Sequence, residues 1–293
     1  MKPVPFEIWP GPMEGISRPE FIFAVSELRL VKRWMTAFLR VSDHCYKEKK
    51  ITEFLQPYLA GKLPVSAQIM GSNPEILADL ACRCMDCGAN SINLNCGCPS
   101  KRVISGNAGG GALKDRKKLA LICSTIRKKL GDKFEFSVKM RTGFTSPEEM
   151  KELIPALADA GVNKFFIHFR TVQEQYLSVP GRLERLQQAV CYASPLPVII
   201  NGDIQTVQEG CGLLQQTGAA GIMAARAFMH DPWLLARFED PDVPSPEEGR
   251  VQFFRALEKQ HVSGGNRIEL AKMIWGAKSE EFLRLLASEL VSK

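Results

Sequence analysis

Short, nearly continuous apolar runs alternate with longer helix-like stretches along most of this chain, and that alternation constrains the fold more than any other feature. The runs are "PFEIWPGPM" (5–13), "WMTAFLRV" (34–41), "PVSAQIMG" (64–71), "SINLN" (91–95), "FEFSVKMR" (134–141), "KFFIHFR" (164–170), "PVIIN" (197–201) and "GIMAAR" (221–226). Several are rich in β-branched residues, as strands covered on both faces should be. Between them, 74–89, 115–131 and 146–161 read as helices; the last opens on Ser146, Pro147 and an acidic turn and closes on Gly161. Eight strand signals separated by helices predict an α/β fold, a (β/α)8 TIM barrel. After "HDPW" (230–233) the strand signals stop. "EDPDVPSPEEGR" (239–250) reads as a linker, followed by the amphipathic stretches "VQFFRALEKQHV" and "SEEFLRLLASELV". The expected organisation is a barrel over 1–238 and a small helical domain over 239–293.

Composition narrows the function classes. No run of 18 uncharged apolar residues exists among the 293, so no membrane span is expected. The N-terminus lacks the apolar core of a signal peptide, which points to the cytoplasm and to reduced thiols for the nine cysteines. A net charge of +6 is compatible with a polyanionic partner.

Chemistry in such a barrel gathers at the C-terminal ends of the strands. Gln68, Asn95, Cys98, Lys139, Arg141, His168, Arg170, Asn201, Asp203 and Arg226 all fall there. Cys98, in "INLNCGCPSK" (92–101), admits three roles: metal ligand, nucleophile or proton donor. Cys82, Cys84 and Cys87 do not make a convincing metal site with Cys96 and Cys98, because i and i+2 on a helix face apart and no clustered His completes a tetrad. A nucleophile needs a base to make thiolate. A thiol near pKa 8.5 stays protonated at neutral pH and can give its proton to a carbanion. The residues alone leave these roles open. "SGNAGGGALKD" (105–115) is not a Walker loop and reads as a mobile loop at the mouth, suited to a lid. "NGD" (201–203) and "AAR" (224–226) follow the last two strands, where barrels commonly hold phosphate, with Arg226 as a bidentate grip.

In order along the chain, "GPMEG", "TAFLRV", "LNCGCPSK", "GGGALKD", "SVKMR", "HFRT", "NGD" and "MAAR" resemble the tRNA-dihydrouridine synthases, most of all the bacterial C-type branch, from about Pro12 to Arg226. The resemblance implies an FMN-bound barrel with a helical C-terminal domain that reduces uridines of the tRNA D-loop using NADPH, acting as a monomer. It implies Cys98 as general acid. Pro12, Met13, Glu14, Gln68, Lys139 and His168 would lie at the flavin ring, and Asn201, Gly202, Asp203, Ala225 and Arg226 at its phosphate. Arg40, Asn95, Tyr176 and Lys272 would contact tRNA, and Arg40 in "FLRV" suggests position 16. Three positions depart from the family pattern: Ala37 stands for Glu, Phe169 for Gly and Ala225 for Gly, the last crowding a phosphate turn if it needs a positive φ. Two alternatives are a flavin reductase of a free pyrimidine or small enone, and a non-catalytic tRNA-binding barrel without flavin.

Overall fold

The computed structural model describes residues 6–260 and 264–284. Its centre is one sheet of eight parallel strands: β1 (Glu7–Pro10), β2 (Trp34–Arg40), β3 (Val65–Met70), β4 (Ser91–Cys96), β5 (Glu135–Arg141), β6 (Lys164–His168), β7 (Val198–Asn201) and β8 (Gly221–Ala224). The sheet order is β1-β8-β7-β6-β5-β4-β3-β2, so the barrel closes everywhere except between β1 and β2, which touch without a ladder. Arg33 stitches that seam: it donates to Glu7 Oε2 at 2.7 Å and lies 5.1 Å from the Trp9 ring centroid. The expected first strand shrinks from 5–13 to four residues, because Pro10 and Pro12 have no N–H to extend the ladder.

Each strand alternates between two apolar environments. Ile92, Leu94 and Cys96, Phe136, Val138 and Met140, and Phe165 and Ile167 face the helical layer and join the main core. Trp9, Met35, Phe166, Ile199 and Met223 form a separate cluster that fills the barrel. Beneath them Lys164, buried, pairs with Glu7 at 2.9 Å and with Glu135, closing the floor. Burial would raise the Glu7 carboxyl, but Lys164, Trp9 and Arg33 together outweigh it and the net shift is downward. Apolar on one face and filled on the other, the strands read as continuous hydrophobic runs.

Strand β2 carries a bulge. Met35 pairs with Ser66 and Phe38 with Gln68, leaving Thr36 and Ala37 opposite a single residue. The Thr36 hydroxyl accepts the Gln68 N–H at 2.9 Å, and Ala37 N–H donates to Tyr58 Oη at 3.0 Å. The departure at Ala37 therefore falls on a bulge aimed at the mouth.

The helix starts follow their caps. Asn73 Oδ1 accepts the N–H of Glu75 and Ile76 at 3.0 and 3.2 Å ahead of Pro74–Asp86, and Asp115 caps Arg116–Leu130. Part of the expected linker is helical instead: Ser245 and Glu248 form a capping box, and Pro246–Lys259 starts inside 239–250. That helix packs on Pro19–Glu27, with Phe21 and Phe253 rings 5.5 Å apart. Helix Gly264–Trp275 lies against Arg226–His230, and Phe254, Ile274 and Phe282 join the barrel's outer core. The stretch 279–291 lies largely outside the described residues. No described helix is long and apolar enough to cross a membrane.

Candidate active site

The strand ends surround a cavity of about 1420 Å³ at the barrel mouth. Pro12, Met13, Glu14, Gln68, Asn95, Cys98, Lys139, His168, Tyr176, Asn201, Gly202, Asp203, Ala225 and Arg226 all line it. Arg40 and Lys272 do not. Arg40 donates to Arg102 O at 3.3 Å behind the Cys98 loop, and Lys272 is exposed on Gly264–Trp275.

A buried polar chain rises to Cys98. Ser137 Oγ accepts from Asn93 Nδ2 at 2.9 Å, and Asn93 Oδ1 accepts from Gln68 Nε2 at 2.8 Å. Gln68 Oε1 accepts from Asn95 Nδ2 at 2.9 Å, and Asn95 Oδ1 accepts the N–H of both Gly97 and Cys98 at 3.1 Å. Every amide end in the chain has a partner, so its orientation is unique. Cys98 O accepts the Gly110 N–H at 3.0 Å. The thiol stands half-buried at the cavity, while Cys96 points into the core, where burial pushes its thiol well up. Among the described residues no three His, Cys, Asp or Glu side chains converge as metal ligands.

The glycine-rich segment corrects an expectation. Gly109–Lys114 is a buried 3₁₀ turn, not a mobile lid. A Cβ at Gly110 would lie 2.8 Å from Val172 and 2.9 Å from Cys98 O, and one at Gly111 would lie 2.7 Å from Ile104 O. Glycine is there because two backbones approach closely.

The cavity is electropositive. Burial, then Arg141, brings the Lys139 ammonium down to about 8, and no described carboxylate pairs with it. Burial, with Arg141 and Lys139 next, pushes His168 well below its usual range, so the ring is neutral. His168 Nδ1 accepts the Arg170 N–H at 3.3 Å, which assigns the ring proton to Nε2, the nitrogen facing Gly202.

Asp203, at φ +50, pairs with Arg226 at 2.6 Å and with Arg170. Despite burial, these cations hold its carboxyl below the usual range. Phe169 fills the space behind: its ring stacks on His168, Arg170 lies 4.4 Å from its centroid, and a Cβ on Gly202 would strike it at 2.6 Å. Ala225 has φ −119, so the feared crowding is absent; its methyl fits because Gly11 opposite has none, a Cβ there falling 2.6 Å away. Asn201 donates to Met223 O at 2.8 Å and ties β7 to β8.

Two arginines matter more than their isolated positions suggested. Arg141 Nε donates to Gly97 O at 3.0 Å, and its Nη1 to Thr171 O and Gln175 O at 2.8 and 2.6 Å. Arg170 donates to Leu177 O, and its buried Nη1 has no partner. Only the fold shows that these side chains hold loops; the sequence signal was their place at or just beyond a strand's C-terminal end, Arg141 closing β5 and Arg170 two residues past β6. The cavity also extends to His230 and Arg250, beyond any motif.

Lys139, without a carboxylate partner among the described residues, Arg226 on the cavity wall and the side-chain-free turn at Gly202 fit a planar anionic group with a phosphate. Fold and site thus define a barrel enzyme whose mouth joins a cysteine-bearing loop to an anion cradle.

The chain belongs to the dihydrouridine synthase family, whose model matches residues 10–263. It is 30% identical over 287 residues to the tRNA-dihydrouridine(16) synthase of Haemophilus influenzae, covering 95% of this chain and 90% of that protein. It is also 30% identical to the Escherichia coli K12 protein of the same name, covering 87% and 83%. Solved structures share the fold at low identity. Histamine dehydrogenase from Rhizobium sp. 4-9 matches with a TM-score of 0.61 at 12% identity, over 87% of this chain and about half (49%) of that one. TcOYE with pHBA matches at 0.60 and 9%, over 84% and 95%.

Proposed function

We propose that this chain reduces the C5–C6 double bond of a uridine in the tRNA D-loop, at position 16, to dihydrouridine. The observation that carries the reading is that Cys98 opens onto the same electropositive cavity as Lys139, His168 and Arg226. Gln68, Lys139 and His168, with Pro12, Met13 and Glu14, would hold the ring of FMN, and the 201–203 and 225–226 turns its phosphate. When bound and reduced by NADPH, FMN supplies the hydride for C6.

The chain's own residues do the rest. Cys98 gives its proton to C5 of the pyrimidine, from a loop whose N–H is held by Asn95 and whose C=O is held by Gly110. Lys139 balances negative charge at the ring, and neutral His168 offers its Nε2–H. The target base must leave its stack to reach the mouth. Arg40, Asn95, Tyr176 and Lys272 are the proposed tRNA contacts. Asn95 is 8% exposed and engaged at both ends, so it acts chiefly by positioning Cys98. In this reading the catalytic part lies within 1–238 and the tRNA-holding part within 239–293, in a cytoplasmic monomer. The names of the relatives and the +6 charge favour tRNA over a free pyrimidine.

The test is direct. Purified protein with FMN, NADPH and unmodified tRNA should form dihydrouridine at position 16, mapped by mass spectrometry. No product with flavin bound and reduced would refute the reading.

A further inference from the structure

The loop after β6, residues 169–181, carries two successive large apolar side chains, Tyr176 at 59% exposure lining the cavity and Leu177 at 66% next to it. The other exposed large apolar residues among those described, Leu121, Val251 and Leu283, stand singly. Consecutive apolar residues in water mark a contact surface.

The tip is held rigidly. Buried Arg141 grips the carbonyls of Thr171 and Gln175, buried Arg170 grips that of Leu177, and Leu177 N–H donates to Glu174 O at 2.9 Å. The Glu174 carboxylate is itself clamped by Arg185 at 2.7 and 3.0 Å. Gln175, at φ +50, turns the chain outward just before the pair.

Tyr176 has partners, since Arg141 and Arg226 lie 5.4 and 5.2 Å from its ring centroid. Leu177 joins neither the main core nor the residues packed on it. Through Arg170 its carbonyl is linked to Asp203 and hence to Arg226, so the tip and the anion cradle are one braced unit.

We propose that Leu177 is a stacking wedge for RNA. When a folded RNA docks and its uridine turns into the cavity, Leu177 enters the vacated gap and packs against the flanking base. This rests on the functional reading above and adds a residue to it. A turned-out base forfeits stacking on both neighbours, and an apolar side chain in the gap restores part of that contact. A backbone pinned by two buried guanidiniums pays little further entropy on insertion. Arg226, exposed and 5.2 Å from the Tyr176 ring centroid, puts positive charge beside this tip, which suits the RNA backbone.

The test compares Leu177→Ala with the wild type on two substrates. On folded tRNA, kcat/KM for dihydrouridine should fall about tenfold, the scale of one lost base-stacking contact. On a short unstructured uridine oligonucleotide the rate should be unchanged, because nothing has to be unstacked. With 2-aminopurine beside the target uridine of folded tRNA, the fluorescence change on binding should shrink severalfold, and Leu177→Met should restore most of it. Wild-type behaviour of the Ala variant on folded tRNA, or equal losses on both substrates, overturns the wedge. If the wild type reduces neither RNA, the functional reading fails, and the fluorescence signal alone judges the wedge.

Discussion

Asn95 Oδ1 accepts the backbone N–H of Cys98 at 3.1 Å, so the loop that carries the thiol hangs from a side chain inside the barrel. Asn95 is in turn oriented by Gln68, Gln68 by Asn93, and Asn93 by Ser137. The position of the Cys98 thiol, the proposed proton donor, is thereby decided four residues deep in the interior.

Replacing the thiol should separate the two halves of the reaction. In Cys98→Ala, bound flavin and its reduction by NADPH are expected to survive while dihydrouridine formation falls by roughly 100-fold or more. Normal product formation would remove Cys98 from its role.

The cradle is tested through Arg226. Arg226→Ala leaves Asp203 without one of its two guanidinium partners and removes the proposed charge-assisted contact to phosphate. Flavin retained after gel filtration, read as the flavin-to-protein absorbance ratio, should drop about tenfold in apparent affinity. Unchanged occupancy would count against the assignment.

Lys139 gives a pH signature. Burial and Arg141 lower its ammonium from 10.5 to about 8. Below about pH 8 it is charged in folded and unfolded chains alike, and the folded state bears the cost. Between about 8 and 10.5 the folded chain has shed a proton that the unfolded chain keeps, so stability rises with pH there. The Tm advantage of flavin-free Lys139→Met over wild type should therefore be largest near pH 7 and shrink toward pH 10. An advantage that grows with pH would contradict the burial.

Packing around the thiol is tested at Gly110. A methyl there would press on Val172 and Cys98 O, both within 2.9 Å. Gly110→Ala should cost about 1–3 kcal/mol in denaturant unfolding and slow dihydrouridine formation. Wild-type stability would show that the loop yields freely.

The barrel was legible because its strands lie between two apolar layers, which leaves uninterrupted hydrophobic runs in the chain. Most of the mouth was legible too, since inward-facing residues at the C-terminal ends of the strands ring the opening, although alternation turns others away: Cys96 ends β4 in the core and Arg40 ends β2 outside the cavity. Other features were hidden by their range. Lys164 meets Glu7 across 157 positions, and the fit of Ala225 depends on Gly11, its neighbour in space but far away along the chain. The glycine run looked mobile because composition does not distinguish a loop that moves from one that must pack closely.

By itself the sequence determined the periodicity, hence the parallel barrel, and the residue types at its rim, hence the range of chemistry available. Tertiary structure alone decided which of those groups are paired and which are left to meet a ligand. Asp203 is taken by two arginines, His168 is kept neutral by burial and then by the cations around it, and Lys139 has no carboxylate partner among the described residues. The physical reason is that charge and proton affinity depend on distance and burial, which only the closed barrel establishes.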